Sequence, residues 1–181
     1  MPLSRLPRFH PRMILIVDGY NVIGAWPMFK GMDLGLARDT LRDRLADYAA
    51  FTGTDVTLVF DAHYGNNPRR SVERTLGIEI VYTRSGETAD AYIERLVDRL
   101  TQNTPMRGPV RISVATSDAL EQSIVLSRGA LRISSPELLR MVSEARRGHA
   151  AHASPAVDKN PIGIRMPEDV AEKLKRMLAE D

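Results

Sequence analysis

A chain of 181 residues, 43% hydrophobic and 27% charged, has the size and make-up of one globular α/β domain plus an appendage. It has no cysteine, which excludes disulfides, thiolate metal sites and a cysteine nucleophile. A formal charge of +2 and a pI near 9.1 are too mildly basic to specify a nucleic-acid partner by themselves.

Residues 1–12 form a basic extension carrying Arg5, Arg8 and Arg12. The apolar run MILIV that comes next is stopped by Asp18. It is shorter than the roughly 7–15 residues of a signal-peptide core or the roughly 20 of a membrane span, so the expected location is the cytoplasm, with no membrane partner. Met13–Val17 reads as the first strand, followed by Asp18-Gly19-Tyr20-Asn21. In that turn a carboxylate and an amide can point to one side, either to hold a hydrated cation or to bond nearby backbone in an Asx turn.

From Asp33 to Thr52, Leu34, Ala37, Leu41, Leu45, Tyr48 and Ala49 recur at helical spacing. Val56–Phe60 is a second strand, ending at Asp61, where a carboxylate has no obvious structural duty. Asp61 to Gly77 is turn-rich and basic, with Tyr64, Arg69, Arg70 and Arg74, and is expected to be an exposed loop without regular structure. The composition makes the three arginines candidates for gripping a phosphate backbone and Tyr64 a candidate for stacking on a base; solvated arginines are the commoner occurrence.

Ile78–Tyr82 is the third strand. A helix over Ala89–Leu100 comes after it, with Thr88 as its cap. Asp90 lies in its first turn, where the helix dipole alone favours an acid; Glu94, one turn on, and Glu87, just before the helix, are further acidic candidates. Val110–Ala115 is the fourth strand, trailed by Asp118, which can either cap a helix over Ala119–Ser127 with Glu121 or serve a metal. Leu131–Ser134 is the fifth strand. Ser135 and Pro136 then open a helix expected to run to about Gly148. Residues 148–166 read as a linker rich in Ala, His, Pro and Gly. Residues 167–181 read as an amphipathic helix whose apolar stripe can dock on its own domain or on a partner; no feature specifies an oligomeric state.

The strand runs are nearly continuous in apolar residues, the pattern of a parallel sheet covered by helices on both faces. The carboxyl ends of such strands share one edge, where open α/β sheets bind ligands. Asp18, Asp61, Asp90 and Asp118 each end or trail a strand, so their carboxylates converge there. Packed acids repel unless something positive sits between them, and a hard divalent cation is the usual solution. Competing chemistries lack their residues. There is no GxGxxG after a strand, no P-loop and no GxSxG elbow, and Tyr20 stands where an aspartyl-phosphate phosphatase needs its second Asp.

ILIVDGYNVIGAW (Ile14–Trp26), Val59-Phe60-Asp61-Ala62, Glu87-Thr88-Ala89-Asp90 and Thr116-Ser117-Asp118 with Gln122 together resemble the YacP-like branch of the NYN domains, relatives of PIN-domain nucleases. The resemblance spans Met13 to Arg147. It implies a Rossmann-like parallel β-sheet flanked by helices, a carboxylate-bound Mg²⁺ or Mn²⁺, and endonucleolytic hydrolysis of RNA leaving a 5′-phosphate and a 3′-hydroxyl. On the matching positions Asp18, Asp90 and Asp118 would be the metal-binding acids, Asn21 the accompanying amide and Asp61 an additional acid. The rival expectation is a non-catalytic RNA- or ribosome-binding module with a structural metal; a DNA flap nuclease is a third.

Overall fold

The computed structural model describes residues 11–61, 69–102, 109–116 and 129–153. By compactness the chain divides into residues 1–150, which hold the whole sheet, and residues 151–181. The expected N-terminal extension, the helix over Ala119–Ser127, the linker beyond residue 153 and the C-terminal helix lie outside the described residues.

Six strands form one sheet in the order β3-β4-β2-β1-β5-β6: β1 Arg12–Asp18, β2 Asp55–Phe60, β3 Ser71–Thr75, β4 Ile78–Tyr82, β5 Val110–Ala115 and β6 Leu131–Ile133. All neighbours pair in parallel except β3, which runs antiparallel to β4 with Ser71 opposite Tyr82 and Arg74 opposite Glu79. The described helices are α1 Gly19–Ala25, α2 Leu34–Thr52, α3 Ala89–Gln102 and α4 Ser135–Ala153, with a 3₁₀ turn at Pro27–Phe29.

Alternation along β1 shows how both faces are covered. Leu15 and Val17 pack with Leu41 and Leu45 of α2 and Leu138 and Val142 of α4. Ile14 and Ile16 pack on the opposite face with Ile93, Leu96 and Val97 of α3. Each such side chain, fully buried, contributes roughly 1.5–3 kcal/mol.

Three expectations are corrected. Ser71–Thr75 is a strand, although its composition implies a loop; its residues are half-buried or exposed throughout, so no apolar run marks it. As an edge strand it needs only one paired side, and its charges discourage pairing on the other. The cap of α4 is Ser134, not Ser135: the Glu137 amide donates to Ser134 Oγ at 3.4 Å, and the Glu137 carboxylate accepts from Ser134 N at 2.7 Å, a reciprocal capping box. Finally, α4 continues through Gly148 to Ala153. Gly148 serves close packing rather than termination, since a Cβ there would come within 2.9 Å of the Phe51 ring.

Candidate active site

β1 delivers Asp18 to the carboxyl edge of the sheet, and α1 begins at the next residue. Gly19 is needed there because a Cβ would lie 2.3 Å from the Phe60 ring. Asp18 Oδ1 accepts from the Asn21 amide at 3.1 Å and so caps α1. The Asx-type bond therefore forms, but it does not use up the carboxylate. Asp18 is only 9% exposed. Burial, opposed by the Asn21 N–H and reinforced by the negative charges of Asp90 and Asp61, pushes its pKa from 3.8 to about 6.

Asn21 is steadied from across the chain. Its Oδ1 accepts from the hydroxyl of Ser135, a fully buried residue at the start of α4, at 3.4 Å. Beside it Trp26 Nε1 donates to the Ser135 carbonyl at 2.9 Å, locking α1 to α4. Asp61, just past β2, accepts from the Ala89 amide at 3.4 Å and so touches the first residue of α3. Thr88 Oγ1 accepts from the Ala91 amide at 3.2 Å. With the first turn of α3 supplied by Thr88 and Asp61, Asp90 lies on the wall of the cleft.

Asp18, Asn21, Asp61 and Asp90 line a single cleft of about 590 Å³. The rest of its lining is Tyr20, Ile23, Gly24, Leu34, Thr88 and Ala89. Leu34, which the helical spacing groups with the core face of α2, is 36% exposed. Asp118 and Tyr64 lie outside the described residues. Among the described residues no group of three or more His, Cys, Asp or Glu is placed to hold a metal ion on its own. The donor types in the cleft, carboxylates with an amide oxygen, are nevertheless those a hard divalent cation takes.

Glu87 does not join them. It is buried and accepts from Arg70 Nη2 at 2.6 Å, from the Arg84 amide at 3.3 Å, and from Arg95. Burial pushes its carboxyl up, but these donors outweigh it and hold Glu87 below its ordinary value. Arg70 also lies over the Tyr92 ring, 4.6 Å from its centre. The three candidate arginines are thereby separated. Arg69 is exposed next to the carboxyl end of β4, and Arg70 is fixed on Glu87. Arg74 pairs with Glu79 at 2.9 Å in a second concavity of about 510 Å³ at the amino ends of β1, β2 and β4. The sequence does not mark Ile23 and Gly24 of the Ile14–Trp26 run as cleft lining, nor Ser135 as the partner of Asn21, because only folding brings them there.

A mostly parallel sheet flanked by helices, with acidic residues meeting at its carboxyl edge, is consistent with a PIN-like/NYN α/β architecture. Comparison with known proteins agrees. The YacP-like NYN domain model matches residues 15–179, well past Arg147. YacP of Bacillus subtilis (strain 168) is 37% identical over 169 residues, which is 90% of this chain and 95% of that protein. The crystal structure of B. subtilis Rae1 (YacP) is similar with a TM-score of 0.66 at 36% identity, over 93% of this chain and 95% of that one. Its tryptophan-to-leucine mutant gives the same score and identity, over 91% and 96%. The chain belongs to the YacP-like NYN family. No helix among the described residues is long and apolar enough to cross a membrane.

Proposed function

We propose that this protein is an endoribonuclease that hydrolyses phosphodiester bonds of single-stranded RNA with Mg²⁺ or Mn²⁺. The observation that carries the reading is the meeting of Asp18, Asp61, Asp90 and Asn21 in one cleft at the carboxyl edge of the sheet; family membership supports it. Asp18, Asp90 and Asp118 would hold the ion. When bound, it would polarise a phosphate oxygen and lower the pKa of a coordinated water.

The chain's own residues supply the placement. Asp18 is fixed by its bond to the Asn21 amide, and Asn21 by Ser135, so the two neighbours present their oxygens from a rigid β1–α1 corner. Asp61 sets the position of α3 through the Ala89 amide, and with it that of Asp90. Arg69, exposed next to the carboxyl end of β4, would meet a strand backbone. Tyr64, in the neighbouring segment, would stack on a base. Arg74 has no part in the substrate path, because it lies at the opposite edge.

The test is cleavage of single-stranded RNA by purified protein with Mn²⁺ or Mg²⁺, beside Asp90→Asn and an EDTA control. Cutting is expected to vanish in EDTA and to fall by about 100-fold or more in the variant. Metal binding without cutting would replace this reading with a binding module, and the ribosome is the first partner to add.

A further inference from the structure

Among the described residues nothing requires glycine at position 24. It lies inside α1, its φ is not positive, and a Cβ built on it would meet no described residue within 4 Å. Glycine weakens a helix relative to alanine, so neither backbone geometry nor packing accounts for it. What the missing side chain does is leave space in the lining of the cleft, which Gly24 shares with the apolar residues Ile23 and Leu34. Tyr20, its ring backed by Phe60 at 5.0 Å between centres, belongs to the same lining.

The lining thus combines two kinds of group, the carboxylates and the apolar Ile23, Gly24 and Leu34, within about 590 Å³, inside the roughly 300–1,000 Å³ of small-ligand sites. A nucleotide has the matching two ends: a phosphate, which the carboxylates accept through a cation, and a base with an apolar face. We infer that the apolar lining of Ile23, Gly24 and Leu34 is a subsite for one unstacked nucleobase of the strand whose phosphate meets the carboxylates. This deepens the RNA reading and rests on it. The subsite makes the cleft select single strands, because a base held in a duplex cannot turn its face to that lining.

The test uses the full chain with Ca²⁺ in place of Mg²⁺ or Mn²⁺, a hard cation that bridges carboxylates and phosphate while cutting is slow, and measures binding by fluorescence anisotropy. The probes are a ten-nucleotide single-stranded RNA, the same strand in a duplex, and a ribose–phosphate backbone without bases. The base-bearing single strand is expected to bind about tenfold tighter than either control. Gly24→Met is expected to lose that advantage while binding the baseless backbone as wild type does. Melting of Gly24→Met no lower than wild type, with Gly24→Ala melting higher, shows that the loss is not unfolding. Wild-type affinity of Gly24→Met for the single strand, or equal wild-type affinity for the baseless backbone, would overturn the subsite alone. Binding of none of the probes would overturn the RNA reading beneath it.

Discussion

Asp18 shows the conflict built into the site at the scale of one residue. Folding buries its carboxylate beside two other acids, so the ionised form is less stable in the folded protein than in the unfolded chain. With a pKa of 3.8 unfolded and about 6 folded, the sign is fixed. Below the lower value both states are protonated and there is no penalty. As pH rises, the unfolded chain loses its proton first and gains relative stability, and above the folded pKa the penalty is complete, at about 3 kcal/mol. Asp18→Asn removes the charge and keeps a good helix cap. In EDTA at pH 8 the variant is expected to melt several degrees above wild type, the gap closing toward pH 4, while RNA cutting is lost. Thermal melts across pH 4–8 check this, and a midpoint that falls at pH 8 would contradict it. The convergence of Asp18 with Asp61 and Asp90 was legible in the sequence because a strand-terminal position is a topological property. Ser135, more than a hundred residues from Asn21, was not legible, because only the packing of α4 against α1 brings the two together.

Among the elements, Glu87 plays the tying role. Asp61 lies just before residues 62–68 and Arg70 two positions after them, and both bond within Glu87–Ala89, at the mouth of α3. The carboxylate of Glu87 thus joins the start of β3 to the helix that carries Asp90. Glu87→Gln keeps the shape but cancels the charge between Arg70 and Arg95. A buried carboxylate whose partners are themselves partly exposed is worth about 1–3 kcal/mol on that exchange, below a fully buried pair. Because Glu87 is held below its ordinary 4.5, its contribution is present above that value and is lost as pH falls beneath it. Urea unfolding is expected to show the full loss at pH 7 and a shrinking one in acid; an effect inside about 0.5 kcal/mol at pH 7 would contradict the tie. Elements buried on both faces were legible: the strand over Ile78–Tyr82 has its expected limits, and β1 differs by one residue at each end. β3 was hidden because an edge strand with polar sides has no hydrophobic period. α1 was hidden because its seven residues contain two glycines and begin inside what reads as a turn.

Over the whole molecule, strand order decides where function can sit. From β1 the chain moves outward through β2 and β4, then returns to the other side of β1 for β5 and β6. The carboxyl edge beside β1 is therefore the crevice at the topological switch point, and the amino edge is its opposite pole. Composition cannot separate the two poles: Arg69 and Arg74 are five residues apart and look alike in sequence. The antiparallel register of β3 sends them to different poles, Arg69 to the carboxyl edge beside β4 and Arg74 to its pairing with Glu79. An RNA strand drawn to the cleft should release counterions at the first pole and not at the second. Arg69→Ala is accordingly expected to weaken single-stranded RNA binding and to reduce the slope of log affinity against log salt by about 0.7, the value for one phosphate contact on a single strand. Arg74→Ala is expected to leave affinity and slope unchanged. Titrations between about 50 and 200 mM salt separate the two, and equal effects from both arginines would mean that the strand runs across the sheet rather than along its carboxyl edge.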